Sequence, residues 1–130
     1  MEKKKPKHTI VRVAEHFAVV RPERQLVGDT ETDELMEIVK QLNDQKLRFI
    51  VVDLGGIDWV TSAGLGALVD AHQRFAKRGA YALLARLDKR IHNLLIITKL
   101  ALVFETYPTV EAAIAAGEAM PVKAPVEMSE

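Results

Sequence analysis

The sequence contains no cysteine, few aromatic side chains and no net charge. Its 130 residues include 5% aromatic side chains, and 18 basic residues balance 18 acidic ones. Without cysteine, the chain can form no disulfide, no thiolate metal site and no cysteine nucleophile. Because the charges cancel, a general electrostatic attraction to nucleic acid or to an anionic lipid surface is not expected. We therefore predict no direct binding of nucleic acid.

Long apolar runs are also missing. No stretch approaches the roughly 20 apolar residues that a membrane-spanning helix needs, and the first residues show no apolar signal segment. The sequence therefore predicts a cytoplasmic protein that does not insert into membranes.

Motifs for metals, nucleotides and catalysis are absent as well. The four histidines are scattered, and neither GxGxxG nor GxxxxGK[ST] occurs. Asp53 ends a predicted buried strand, so we expect it to accept hydrogen bonds from loop amides, whereas Asp58 is expected to be a solvated loop residue. His72 is expected at the edge of the core. No base and nucleophile pair is recognisable, so we predict a protein without a metal, a cofactor or enzymatic activity.

The length fits one domain with a core large enough to fold without disulfides. We predict this domain over residues 8–117. Residues 1–7 are charged and residues 118–130 carry two prolines with almost no apolar periodicity, so both are predicted to be flexible tails.

Hydrophobic periodicity predicts alternating strands and helices. Apolar β-rich runs indicate strands at residues 9–13, 17–20, 49–54, 80–85 and 102–106. Helical spacing indicates helices at residues 32–45, from Ser62 to a stop at Lys77-Arg78-Gly79, after Asp88, and at residues 108–116. Asp29, Thr30 or Thr32 is the expected cap of the first helix. A hairpin followed by repeated strand and helix units predicts an α/β fold, a mixed and mostly parallel sheet of about five strands with about four helices.

The most informative stretch is residues 52–66, where a buried strand leads through Gly55-Gly56 into two hydroxyl residues at a helix start. Thr61 or Ser62 is either a simple helix cap or, in the case of Ser62, a phosphate acceptor. Gly64 and Gly66 each cost up to about 1 kcal/mol relative to Ala in a helix. Close approach of a partner and tight internal packing both explain them. Trp59, the sole tryptophan, is either an apolar anchor beneath the loop or a hot spot that faces a partner.

This stretch resembles the signature of STAS domains, the family of bacterial anti-sigma factor antagonists and of the cytoplasmic domains of sulfate transporters. The resemblance rests on Val51-Val52-Asp53-Leu54 followed by Thr61-Ser62-Ala63-Gly64-Leu65-Gly66, and it extends over about residues 8–116. It implies an anti-sigma factor antagonist that binds an anti-sigma factor with serine kinase activity. Phosphorylation at Ser62 would then release the partner, and a phosphatase would reset the cycle.

The same resemblance implies a partner-binding surface made of two segments. Its residues would be Gly28, Asp29, Thr61, Ser62, Ala63, Gly64 and Leu65. Two features depart from the family pattern: Thr61 replaces the Asp that usually precedes the phosphorylated serine, and the loop at residues 21–29 is longer and more charged. Thr61 is itself a conceivable phosphate acceptor, and the loop suggests a different partner.

One alternative keeps the fold and changes the role. In it, the chain is a STAS subunit of a transport assembly or a signalling scaffold, and Ser62 is only a helix cap. A small enzyme using Asp58 or Ser62 is the other alternative. The sequence leaves the oligomeric state open.

Overall fold

The computed structural model describes residues 6–121. The predicted tails fall largely outside the described residues. The regular elements are β1 (Thr9–Val13), β2 (Phe17–Pro22), α1 (Thr30–Asp44), β3 (Phe49–Asp53), α2 (Ser62–Ala76), β4 (Tyr81–Ala85), α3 (Lys89–Ile97), a single 3₁₀ turn (Leu100–Leu102), β5 (Thr106–Tyr107) and α4 (Val110–Ala119).

The five strands form one mixed sheet in the order β1-β2-β3-β4-β5. β1 and β2 pair antiparallel, and each later neighbour pairs parallel. The α/β fold class predicted from the sequence is therefore confirmed. β2 and β3 run in the same direction, so the loops that follow them leave the same edge of the sheet.

The sheet lies between two helical layers. One core cluster joins Ile50, Val52 and Leu84 of the sheet to apolar faces of α1, α2 and α3. The second joins Phe49 and Val51, on the opposite face, to α4. All five residues of β3 are buried, as expected for a strand covered on both faces.

The predicted strand at residues 102–106 is wrong in most of its length. Lys99 adopts a left-handed backbone with φ of 63° and the chain turns through Leu100–Leu102. Leu102 is 88% exposed. Pairing with β4 begins only at Glu105, whose carbonyl accepts a hydrogen bond from Leu84 N–H at 3.0 Å. An apolar run followed by a β-branched residue imitates a strand, but here most of the run faces outward.

The helix ends differ slightly from prediction. α1 begins at Thr30, before the predicted start, and α4 continues to Ala119, beyond the predicted end. The predicted cap at Asp88 is confirmed, since its carboxylate accepts from Arg90 N–H at 2.9 Å. Within residues 6–121, each helix is too short or too polar to cross a membrane.

Candidate functional site at the carboxyl edge of the sheet

Two loops meet at the carboxyl edge of the sheet, one at residues 23–29 and one at residues 54–61. Leu26 and Val60 pair across them as a parallel bridge, and both are 0% exposed. Thr61 N–H donates to the Leu26 carbonyl oxygen at 2.9 Å. The two loops are thus joined by a short extension of the sheet.

The side chain of Gln25 strengthens this junction. Its Nε2 donates to Asp58 Oδ1 at 2.6 Å, and its Oε1 accepts from the N–H groups of Asp58 at 3.0 Å and Trp59 at 2.9 Å. We call these three bonds the Gln25 clasp. Asp58 is exposed, as predicted. It is also held by hydrogen bonds to Gln25, a residue that the sequence did not indicate.

Glu31 and Thr32 hold the 23–29 loop from the side of α1. The Glu31 carboxylate accepts from Val27 N–H at 2.9 Å and Asp29 N–H at 3.2 Å, while Thr32 Oγ1 accepts from Gly28 N–H at 3.0 Å. Asp29 occupies the N-cap position, but its side chain makes no capping bond. The expected capping bond of Asp29 is therefore not formed, and the buried Glu31 carboxylate instead binds loop N–H groups that precede the helix.

These contacts determine the charge of Glu31. Burial by itself raises the pKa of the carboxyl group, but hydrogen bonds from the loop N–H groups and from the Thr32 hydroxyl outweigh it, so the pKa is lowered. The group is a buried carboxylate at neutral pH. It adds negative charge beneath a loop that already carries Asp29.

Two glycines are required for the loop to pack on α2. Gly28 has a φ of 89°, and a Cβ placed on it would lie 2.8 Å from Ala63 Cβ. A Cβ on Gly64 would overlap the carbonyl oxygen of Leu26 and lie 2.8 Å from its Cβ. Internal packing against the 23–29 loop therefore explains Gly64.

Gly66 is different, because a Cβ there would meet nothing within 4 Å. It lies on the exposed face of α2. Nothing among the described residues requires its missing side chain, so internal packing does not explain Gly66.

The structure assigns different roles to Thr61 and Ser62. Thr61 is the N-cap of α2, and its Oγ1 accepts from Gly64 N–H at 3.5 Å, a long capping bond. Ser62 is the first residue of the helix and is exposed. Its hydroxyl makes no hydrogen bond with any other described residue. The capping role thus belongs to Thr61, and the hydroxyl of Ser62 is accessible.

The other predicted site residues surround Ser62 at two levels. Gly28, Asp29 and Ala63 are exposed beside it, whereas Gly64 and Leu65 are buried and support the surface from beneath. Trp59 is 44% exposed and Val27 is 46% exposed. Trp59 is therefore not a buried anchor, and Val27 adds an apolar side chain that the sequence analysis did not single out.

Asp53 and His72 have structural roles, as predicted. Asp53 accepts from Gly55 N–H at 2.9 Å and pairs with Arg86 Nη1 at 3.2 Å. His72 packs edge to face on Phe104 with ring centroids 5.8 Å apart. Among residues 6–121, no group of three His, Asp or Glu side chains is placed to hold a metal ion.

Comparison with known proteins identifies the family of the chain. The STAS domain family model matches residues 8–113. No curated protein sequence matches the chain.

Solved structures of two bacterial proteins share the fold. An anti-sigma factor antagonist from Mycobacterium paratuberculosis is 21% identical, with a TM-score of 0.74 over 85% of this chain and 92% of that one. The Bacillus cell fate determinant SpoIIAA in its phosphorylated form is 13% identical, with a TM-score of 0.68 over 83% and 97%.

A transporter also contains a similar domain. The murine Solute Carrier 26 family member A9 anion transporter is 13% identical, with a TM-score of 0.70 over 84% of this chain and 19% of that one. The sequence identities to all three proteins are low, so these structural comparisons show only that the fold is shared. Since the family model covers most of the sequence, the chain belongs to the STAS domain family.

Proposed function

We propose that this protein is a cytoplasmic, non-enzymatic anti-sigma factor antagonist. In this proposal it binds an anti-sigma factor that is also a serine kinase, and it thereby frees a sigma factor for transcription. Phosphorylation of Ser62 dissociates the complex, and a phosphatase restores binding. The similarity to a solved anti-sigma factor antagonist and to SpoIIAA in its phosphorylated form supports the proposal.

The observation that carries the proposal is the accessible hydroxyl of Ser62. Because Thr61 supplies the cap of α2, Ser62 can be modified without loss of the capping bond. A helix N-terminus also tolerates an added anion, since its amide groups and dipole favour negative charge. The site therefore accepts a phosphate without unfolding.

The charge around Ser62 explains how a phosphate would act. The first turn of α2 has no charged side chain, while Asp29 and Asp58 lie in the neighbouring loops and Glu31 lies in the first turn of α1. A phosphoserine adds about −1.5 to −2 charges at pH 7. The start of α2 would change from uncharged to strongly negative, and a partner that buries the unmodified Ser62 would meet a desolvation cost and, where it presents acidic groups, repulsion.

Thr61 in place of the usual Asp leaves the start of α2 uncharged before phosphorylation. An Asp at this position would keep a negative charge beside Ser62 in both states. With a neutral threonine, the phosphate is the first charge on the helix start. The departure from the family pattern is thus compatible with a switch at Ser62.

Intact mass spectrometry after incubation with ATP and the anti-sigma factor kinase from the same genome tests the proposal. We expect one added phosphate on the wild type and none on Ser62→Ala. Ser129 is the other serine of the chain, so Ser129→Ala is a matched control that should still be labelled. Labelling that persists in Ser62→Ala but disappears in Thr61→Val would move the acceptor to Thr61 and contradict the proposal.

A second candidate function is favoured by an apolar patch on α3 and the turn that follows it. Its members are Ile96, Ile97, Leu102 and Val103, which are 53%, 77%, 88% and 41% exposed. An exposed aliphatic group of this kind is typical of a protein interface. The patch lies outside both loops of the Ser62 site and suits a STAS subunit held in a transport assembly or scaffold.

The two candidates respond differently to mutation. A subunit docked through the patch should lose its partner in the double variant Ile97→Ser with Leu102→Ser and keep it in Ser62→Asp. An antagonist should keep its partner in the double variant and lose it in Ser62→Asp. A pull-down that compares these two variants with the wild type distinguishes them.

A further inference from the structure

We propose that Gln25 is a positioning residue for the surface that meets the partner. It acts through the 54–61 loop, by holding Trp59 and the approach to Ser62 against the 23–29 loop. This inference deepens the proposed function and rests on it. Gln25 lies in neither the predicted phosphorylation site nor the set of predicted partner-binding residues.

The clasp extends the pairing of the two loops by one residue. Leu26 and Val60 pair through the backbone, and the Gln25 side chain then binds two successive backbone N–H groups, at 3.0 and 2.9 Å. The Gln25 side chain thus accepts hydrogen bonds as the backbone of a neighbouring strand would. The 54–61 loop is fixed by these bonds at the residues that precede the Thr61 cap.

The pairing determines which side chains face outward. Leu26 and Val60 point into the core, and side chains alternate along paired segments. Their neighbours Val27 and Trp59 consequently project away from the core, and both are nearly half exposed. Because an exposed tryptophan and valine beside an accessible serine form an apolar contact area, their fixed orientation prepares this surface for a protein partner.

Only an amide satisfies all three bonds at this position. Oε1 accepts from two N–H groups while Nε2 donates to the Asp58 carboxylate at 2.6 Å. A glutamate at residue 25 would keep the acceptor but place two carboxylates together. An asparagine at residue 58 would then supply the missing donor. The side-chain hydrogen bond between residues 25 and 58 can therefore be broken by Gln25→Glu and restored by adding Asp58→Asn.

The test uses Gln25→Glu, Asp58→Asn and the double variant of the full chain. Trp59 is the sole tryptophan, so its fluorescence reports the loop directly, and the amide hydrogen exchange of residues 58 and 59 reports the bonds. We expect Gln25→Glu to accelerate exchange at both amides about tenfold and to increase quenching of Trp59 by acrylamide. Asp58→Asn, which keeps an acceptor for Nε2, is the control and should stay near wild type.

The first stage of the test measures amide exchange and Trp59 quenching, and the double variant decides its outcome. Recovery of slow exchange and of wild-type quenching in Gln25→Glu with Asp58→Asn supports the clasp, because a nonspecific loss of stability would not be repaired by a second substitution. Unchanged exchange in Gln25→Glu, or no recovery in the double variant, overturns the inference.

The second stage measures phosphorylation of Ser62 by the anti-sigma factor kinase. A positioning role predicts that Gln25→Glu raises KM about tenfold with little change in kcat and that the double variant restores KM. Equal KM values for all variants overturn the inference and leave the proposed function standing. Absence of phosphorylation in the wild type contradicts the proposed function and the partner role, while the exchange experiment still decides whether the clasp exists.

Discussion

The backbone N–H of Thr61 donates a hydrogen bond to the carbonyl oxygen of Leu26 at 2.9 Å. Thr61 is also the cap of α2, and Leu26 lies in the loop that leads to α1. A single residue therefore connects the helix start that presents Ser62 to the loop that flanks it.

The two glycines of α2 are expected to respond to alanine in opposite directions. Gly64→Ala forces a methyl group into the Leu26 carbonyl oxygen and should lower the free energy of unfolding by about 1–3 kcal/mol, as overpacking does. Gly66→Ala meets open space and should raise it by about 0.5–1 kcal/mol. Urea denaturation measures both, and a destabilised Gly66→Ala would contradict the open environment of this position.

Gly66→Ala also tests whether a partner approaches α2 closely. We expect it to weaken binding of the anti-sigma factor although it stabilises the free chain, because the added methyl group keeps the partner from the helix backbone. Gln73→Ala, on an exposed position further along the same helix, is the control. If both variants bind the anti-sigma factor equally well, Gly66 is not part of the interface.

The cap at Thr61 is expected to contribute modestly to stability. Its bond to Gly64 N–H is long, at 3.5 Å, so Thr61→Ala should cost about 0.5–1 kcal/mol, the lower part of the range for capping residues. Thr61→Asp should be at least as stable as wild type, because a carboxylate caps well and interacts favourably with the helix dipole. Thermal unfolding compares the three proteins. A Thr61→Asp protein less stable than Thr61→Ala would show that the site does not tolerate negative charge.

Acid is expected to destabilise the 23–29 loop through Glu31. The folded pKa of this carboxyl group lies below its ordinary value of 4.5, so its contribution to stability is complete above that value. The contribution is lost as the pH falls through the lower folded pKa. Glu31→Gln should therefore flatten the decline in stability below about pH 4.5.

Urea denaturation at a series of pH values from neutral to acidic measures how steeply the free energy of unfolding declines with falling pH. Glu37→Gln is the matched control, since Glu37 is exposed on the same helix, and it should follow the wild type. A Glu31→Gln protein with the wild-type slope would mean that another carboxylate controls the acid response. Glu34 is the next candidate: it accepts from the N–H groups of Lys7 and His8, both at 2.9 Å, and its pKa is also lowered.

The sequence was sufficient where a pattern is local. The continuous apolar run of β3, the basic residues and glycine that end α2, and the Asp88 cap each depend on neighbours within a few positions, and each is confirmed. The element order then limited the possible topologies, because strands linked by helices form parallel pairs.

The remainder depends on contacts between distant parts of the chain or on local conformations that side-chain type does not reveal. Gln25 and Asp58 are separated by 33 positions, and no local periodicity indicates that an amide will bind a loop so far away. The role of Glu31 was not predicted because its carboxylate binds N–H groups that precede the helix, those of Val27 and Asp29. The apolar run after Leu100 is similar to a strand in sequence, but the chain turns after the left-handed Lys99, and Leu102 and Val103 face solvent.

The central claim is that a phosphate on Ser62 controls partner binding. Isothermal titration of the anti-sigma factor with the unmodified chain and with the chain phosphorylated at Ser62 tests it most directly. The account predicts binding at least about tenfold weaker after phosphorylation, because like-charge contact and desolvation oppose the complex. Equal affinity of the two forms would contradict it.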